Sequence, residues 1–320
     1  MRKDKILITG AGGQLGGVLT KALNQEYSTP QIVVSDIHPI DSPHAFYALD
    51  VTDKSKLTEI VEKEKVTQIY HLAAILSATG ESNPMFTNQV NIQGLLNVLQ
   101  VSHSHQIDKV FCPSSIAVFG EGIDREVARQ NDVLIPRTVY GITKVTGELW
   151  SKYYWDRYKV DVRSLRYPGV IGYQSLPGGG TTDYAVDIFH SAVKGEPFSC
   201  FLSEDTKLPM IYMEDAIRAT LELMAAPADS LSVRTSYNLQ GMSFSPGELY
   251  AAIQKYIPNF EISYAPDERQ KIAEAWPKTI DDHLAREDWN WKPGFQLDEM
   301  AKDMIINLQS IIESNNTQHV

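Results

Sequence analysis

An α/β fold with a doubly wound parallel sheet is predicted by three features of the chain. Apolar, β-branched runs at 5–9, 31–36, 68–72, 109–113 and 162–167 alternate with helical stretches at 15–26, 53–65, 87–105 and 140–158. That alternation asks for parallel strands joined by right-handed helical crossovers. A glycine-rich turn closes the first of these strands, and after Gly172 the alternation gives way to a turn-rich stretch at 174–183. With 320 residues, the chain has material for one large domain or two lobes with a sizeable core.

The first strand, Lys5-Ile6-Leu7-Ile8-Thr9, runs into Gly10-Ala11-Gly12-Gly13-Gln14-Leu15-Gly16 and then an apolar helical pattern. Glycines at 10, 13 and 16 permit a tight turn, let backbone approach a pyrophosphate, and allow close helix–strand packing. The N-terminus of the helix presents free N–H donors and a positive dipole end to phosphates. The second strand ends in Asp36, twenty residues after Gly16. An acid there accepts from a ribose 2′-hydroxyl and repels a 2′-phosphate. No arginine follows it, so NAD is favoured over NADP. Strand, glycines, helix and acid in this order predict a Rossmann-type nucleotide lobe. Asp50-Val51-Thr52-Asp53 reads as a strand end leading into a helix cap. In such a lobe this corner lies near the adenine, with Asp50 placed to accept from its amino group.

Ser114-Ser115 follow the 109–113 strand, and Tyr140-x-x-x-Lys144 opens the 140–158 helix. Residues four apart on a helix share a face, about 6 Å apart along the axis. A phenol ordinarily holds its proton to about pH 10, and an ammonium beside it favours the phenolate. A phenolate removes a proton from an alcohol. Ser115, twenty-five positions before Tyr140, is placed to hydrogen-bond the same alcohol oxygen, with Ser114 beside it. Tyr-x-x-x-Lys alone is a common helix pattern; the nucleotide site ahead of it makes it informative.

Beyond Gly172 the pattern predicts a strand and helix across 209–223, a strand within 231–240, a helix at 246–256 and a strand at 260–264. A loop carrying Trp276-Pro277 and an amphipathic helix at 297–313 follow, then a polar, frayed tail at 315–320. Trp276 reads either as a pocket cap or as a loop anchor packed on the core. The expected domains are a nucleotide lobe of residues 1–172 with a return segment at about 208–240, and a smaller discontinuous substrate lobe of 173–207 and 241–320.

A formal net charge of −11 without a basic cluster argues against nucleic acid or an anionic membrane surface as partner. Cys112 and Cys200 supply neither a disulfide framework nor clustered metal ligands. Asp281-Asp282-His283 reads as the opening of a helix rather than a metal site, so no metal is expected. His103 and His105, at the end of a helix, are expected to face solvent. No apolar run approaches the length of a membrane span, and Met1-Arg2-Lys3-Asp4 leads directly into a strand. A cytoplasmic location is expected.

Together these motifs resemble the extended short-chain dehydrogenase/reductase superfamily. The likeness rests on Gly10-x-x-Gly13-x-x-Gly16, Asp50-Val51, His71-Leu72-Ala73-Ala74, Asn91-x-x-Gly94, Ser114-Ser115, Tyr140-x-x-x-Lys144, Arg166-Tyr167-Pro168-Gly169 and Trp289-Asn290-Trp291-Lys292-Pro293. The Pro-Gly-Gly-Gly-Thr-Thr-Asp-Tyr-Ala run at 177–185 is similar to that of the epimerase-type L-threonine 3-dehydrogenases. The resemblance implies oxidation of the threonine β-hydroxyl to 2-amino-3-ketobutyrate with NAD. It makes Tyr140 the base, has Lys144 favour the phenolate and bind the nicotinamide ribose, and has Ser115 orient the hydroxyl, with Ser114 as a further catalytic and substrate-binding residue. Ser77, Thr181 and Thr182 become candidates for the amino-acid end of the substrate. The implied cofactor positions are Gly10, Gly13, Gln14, Leu15, Asp36, Asp50, Val51, Leu72, Ala73, Tyr140, Lys144 and Val170. Helices 87–105 and 140–158 carry surplus apolar positions, and in related folds such a pair forms a homodimer seam. The alternative is a nucleotide-sugar epimerase or dehydratase, which usually carries an asparagine just after the strand at 166–167. Pro168-Gly169-Val170-Ile171-Gly172 lacks it. A catalytically idle NAD sensor is the other rival; intact Ser115, Tyr140 and Lys144 speak against it.

Overall fold

Ile6, Leu7 and Ile8 have no exposed surface, which marks strand β1 (Ile6–Thr9) as covered on both faces. The computed structural model describes residues 4–28, 31–176, 178 and 180–317. After β1 come helix α1 (Gln14–Glu26), strands β2 (Ile32–Asp36) and β3 (Ala45–Ala48), helix α2 (Lys54–Glu64) and β4 (Gln68–His71). Two short helices, α3 (Ser77–Ser82) and α4 (Pro84–Asn88), lead through a π-helical segment (Gln89–Gln93) into α5 (Gly94–Ser104). Strands β5 (Lys109–Phe111), β6 (Ser114–Ser115) and β7 (Val127–Ala128) precede the long helix α6 (Val139–Tyr158) and β8 (Val162–Arg163).

Among the described residues, six strands form a parallel sheet in the order β3-β2-β1-β4-β5-β8. The winding reverses at β1, whose neighbours are β2 and β4, so a crevice opens at the C-terminal ends of these strands. Alternation along the strands divides the core. Leu7, Val33, Ile69 and Val110 pack under α2 and α5 through Leu57, Ile60, Val98 and Leu99. Ile6, Ile8, Ile32 and Val34 face the other way, onto Leu19 and Leu23 of α1.

The second half holds β9 (Leu165–Tyr167), β10 (Gly169–Ile171), α7 (Tyr184–Lys194), β11 (Phe198–Cys200), β12 (Leu208–Tyr212) and α8 (Met213–Ala225). It continues with β13 (Tyr237–Asn238), β14 (Met242–Phe244), α9 (Pro246–Gln254), β15 (Ile262–Tyr264), α10 (Glu268–Ala273), β16 (Thr279–Ile280), α11 (His283–Trp289) and α12 (Leu297–Thr317). Phe189, Leu249, Met304 and Leu308 centre its core, which Ile116–Phe119 of the first half also enter. Trp289 and Trp291 instead join the core beneath α8, so the two cores interleave along the chain.

Several details differ from the sequence-based expectations. The strand expected at 162–167 breaks at Ser164: β8 stays on the central sheet, and β9 turns away to pair with β6 and β13. Helix α7 was not anticipated, although Tyr184, Ile188, Phe189 and Ala192 bury one helical face. The strand whose end was expected at Asp50 is β3, which closes two residues earlier at Ala48 and lies exposed or half-buried at the sheet edge. Within 231–240 only Tyr237–Asn238 pair as strand. Helix α12 runs to Thr317, and 318–320 lie outside the described residues. His103 is exposed as expected, whereas His105 is half-buried, with Nε2 against Glu62 at 3.1 Å. No helix among the described residues is long and apolar enough to cross a membrane.

Candidate active site

At the crevice, Gly10 has φ +71°, and a Cβ there would stand 2.6 Å from the Ala73 nitrogen. Only glycine lets the end of β1 approach the turn after β4 so closely. A Cβ on Gly16 would run into the Gly10 carbonyl, so glycine also sets the contact between turn and helix. Helix α1 begins at Gly13 with no side-chain cap and no acid in its first turn. Its first N–H groups therefore remain available to an anion. Asp36 ends β2 with Oδ2 accepting from the Gly12 amide (3.0 Å) and Oδ1 from the His38 amide (3.2 Å). Asp36, Asp50, Val51, Leu72 and Ala73, with Gly10 and Gly13, border a pocket of about 260 Å³. Asp50 Oδ1 also accepts from the Thr52 amide and hydroxyl, while Asp53 caps α2 through the Lys56 amide (2.9 Å).

Leu72 and Ala74 also border a cleft of about 180 Å³, so the two spaces adjoin. Gln14, Leu15, Val170, Ser77, Ser114, Ser115, Tyr140, Lys144, Thr181 and Thr182 line this cleft. Thr138 caps α6 by accepting from the Gly141 amide (3.0 Å), which sets Tyr140 on the first turn. Lys144 Nζ stands 5.3 Å from the Tyr140 ring centre and donates to the Pro113 carbonyl (2.8 Å). The lysine thereby ties the helix to the segment leading into β6. Ser115 Oγ accepts from the Ala117 amide (3.2 Å), which leaves its proton to donate. Ser114, expected beside Ser115 at the reacting hydroxyl, differs: its buried hydroxyl donates to Glu148 Oε1 at 2.6 Å. Successive strand residues point to opposite faces, which is why the pair divides.

Asn91, in the π-helical segment, locks a wall of the nucleotide pocket at Ile75. Its Oδ1 accepts from the Ile75 amide (2.8 Å), and Nδ2 donates to the Ile75 carbonyl (3.0 Å) and Thr143 Oγ1 (3.1 Å). Thr143 in turn donates to the Tyr140 carbonyl (2.7 Å). His71, fully buried, has its imidazole pushed down to about 3, by burial first and the Lys144 charge second. It is neutral near pH 7, with Nδ1 2.8 Å from the Thr9 hydroxyl. On the far side, Asp183 Oδ2 accepts from the Gly180 amide (2.6 Å), and Gln14 Nε2 donates to the Leu176 carbonyl (2.8 Å). Pro177 and Gly179 of the glycine run lie outside the described residues. Trp276 borders the cleft, where the sequence left its role open. Asp281 and Asp282 serve the opening of α11, accepting from His283 and Arg286.

A model of the NAD dependent epimerase/dehydratase family matches residues 6–239. The chain belongs to this family. Over 309 residues it is 45% identical to the mitochondrial L-threonine 3-dehydrogenase of Bos taurus, a match spanning 95% of this chain and 82% of that one. Among solved structures, the holo form of the GalE-like L-threonine dehydrogenase from Cupriavidus necator is 51% identical, with a TM-score of 0.94 over 95% of this chain and 99% of that one. A monomeric L-threonine 3-dehydrogenase from a metagenome, in its apo form, is 46% identical, with a TM-score of 0.93 over 96% of this chain and 99% of that one.

The family's NAD fits the residues present. The uncapped start of α1 suits the pyrophosphate, and the carboxylates of Asp36 and Asp50 border the pocket beside it. Sequence reasoning missed the Asn91 clamp, the Gln14–Leu176 link and the carboxylates of Glu148 and Asp183. For Glu148 a signal existed, since it continues the spacing of Tyr140 and Lys144 by four residues.

Proposed function

We propose that the chain oxidises the β-hydroxyl of L-threonine to L-2-amino-3-ketobutyrate, using NAD. The observation that carries this reading is the composition of the cleft. Ser115, Tyr140 and Lys144 share it with Ser77, Thr181 and Thr182, and Lys144 is the only lysine or arginine among the described lining residues. A small amino acid is held by such short hydroxyls, whereas a sugar diphosphate calls for a longer groove with cationic or amide donors. The absence of asparagine in 168–172 supports the same choice.

In this reading the substrate hydroxyl lies between Ser115 and Tyr140. Ser115 donates to the alcohol oxygen, and the phenolate of Tyr140 takes its proton. Lys144 supplies the positive charge beside the phenolate. As the O–H bond breaks, the oxygen's electron pair closes the carbonyl and the β-carbon gives up its hydrogen. NAD, when bound, would supply the acceptor for that hydrogen and its electron pair. Ser77, Thr181 and Thr182 hold the carboxylate and ammonium, with Ser114 supporting Ser115. Gly10, Gly13, Gln14, Leu15, Asp36, Asp50, Val51, Leu72, Ala73 and Val170 hold the cofactor, Tyr140 and Lys144 at its nicotinamide end.

We assign residues 1–172 and about 208–240 to the nucleotide lobe and the remainder to the substrate lobe. A homodimer and the reducing cytoplasm complete the proposal, the latter fitting the free thiols of Cys112 and Cys200. The deciding experiment follows NADH absorbance with L-threonine and with a panel of nucleotide sugars. NADH should form with L-threonine. Silence with threonine alongside epimerisation of a nucleotide sugar would establish the rival reading.

A further inference from the structure

Glu148 is a buried carboxylate that the reaction above does not use. It has 3% of its surface exposed, four residues beyond Lys144 and eight beyond Tyr140 on α6, so the three side chains follow one stripe of the helix. Its Oε1 accepts from Ser114 Oγ (2.6 Å) and Arg166 Nε (2.9 Å), and its Oε2 from Arg166 Nη2 (2.7 Å). Arg166, equally buried, stands opposite Ser114 in the pairing of β6 with β9. Its Nη1 donates to the Gln130 carbonyl (2.9 Å) and to Asn238 Oδ1 (3.0 Å). Asn238 Nδ2 then donates to the Asp281 carbonyl (3.1 Å), five residues beyond the cleft-lining Trp276.

A buried ion pair is a poor source of stability, because apolar residues of the same volume often do as well. What this pair supplies is a fixed geometry. Strand β6 is two residues long, and Ser115 sits at its end beside the cleft. The Ser114–Glu148 bond references that strand to the helix bearing Tyr140. Reactions of this kind tolerate little slack: a misplacement of about 1 Å costs on the order of 10²-fold in rate.

We propose that Glu148, held by Arg166, is a positioning residue for the alcohol oxidation. Through Ser114 it sets Ser115 at the distance from Tyr140 at which both meet one oxygen. This rests on the roles of Ser115 and Tyr140 given above.

Two variants test it. Glu148→Gln keeps the shape and removes the charge that Arg166 pairs with. Ser114→Ala cuts the serine link while leaving the ion pair, so it serves even where Glu148→Gln fails to fold. Each should lower kcat for L-threonine by roughly 10- to 10²-fold, with NAD affinity by fluorescence titration within about twofold of the parent. In a Ser115→Ala background the further loss from either variant should largely vanish, because nothing remains to be positioned. Single variants at the parent rate, or losses that multiply in the double variants, would overturn the positioning role alone. Ser115→Ala at the parent rate would instead sink the reading of Ser115, and this inference with it.

Discussion

Asp36, held by the Gly12 and His38 amides, fixes a carboxylate at the end of β2 beside the glycine turn. A 2′-phosphate brought there meets like-charge repulsion. Asp36→Ala should narrow the preference for NAD over NADP in kcat/KM, chiefly by weakening NAD; equal efficiency of the two cofactors with the parent protein would remove that role. Tyr140→Phe keeps the ring and deletes the base, so turnover should fall by about 10² or more while NAD affinity by calorimetry stays near the parent's. Near-normal turnover would take Tyr140 out of the mechanism. His71 makes a prediction about pH. Its folded imidazole is pushed down to about 3 from an ordinary 6.5, so between those values only the unfolded chain takes up the proton. Stability should therefore fall as pH drops from about 6.5 towards 3, by up to roughly 1.4 kcal/mol per pH unit from this group. Urea midpoints of His71→Asn should vary less over that window; an identical slope would assign the acid sensitivity to other groups.

At the scale of elements, the site depends on how α6 is tied to its neighbours. Lys144 fastens it to the Pro113 carbonyl, Glu148 to β6 and β9, and Asn91 to the turn after β4. The π-helical segment widens the helix locally around Asn91, a distortion concentrated at functional sites. Asn91→Ala would strand the Ile75 amide and carbonyl in a wall of the nucleotide pocket. A fully buried group left unpaired costs about 1–3 kcal/mol; for the half-buried Ile75 groups the cost is smaller. The melting temperature should drop, and NAD should bind more weakly because Ala73 and Ile75 lose their fixed positions. Parent-like NAD affinity in a folded Asn91→Ala protein would mean that the turn holds itself.

For the whole molecule, the surface of α4 and α6 is unusually apolar. Met85 and Phe86 on α4 and Ile142, Leu149 and Tyr153 on α6 are exposed. Ile142, Leu149 and Tyr153 repeat at helical spacing, and contiguous apolar surface marks an interaction site. The seam expected on helices 87–105 and 140–158 finds its exposed large apolar side chains on α6 and at Met85 and Phe86, just before residue 87, and none on α5, whose apolar side chains turn into the core. A homodimer closing on α6 and the α4 end of this segment should show a concentration-dependent mass in sedimentation, and Leu149→Glu should shift it to monomer. The monomeric metagenome relative makes the outcome informative. A parent mass that stays monomeric at all concentrations would end the dimer reading.

The sequence by itself determined what is local. The strand, glycine turn, helix and acid from Lys5 to Asp36 follow in covalent order, and helical spacing alone joins Tyr140 to Lys144. Thr138 and Asp53 cap helices from positions that adjacent residues specify. What only the tertiary structure decided involves partners far apart in the chain. Glu148 meets Ser114 across 34 positions and Arg166 meets Asn238 across 72. The break of 162–167 into β8 and β9 divides the segment between β5, which pairs with 162–163, and β6 with β13, which pair with 165–167. Tertiary packing also gave Ser114, rather than Ser115, to Glu148, and placed Trp289 and Trp291 on the core beneath α8. Periodicity reports that a face is buried; it does not name what buries it, because that depends on how distant elements pack in space.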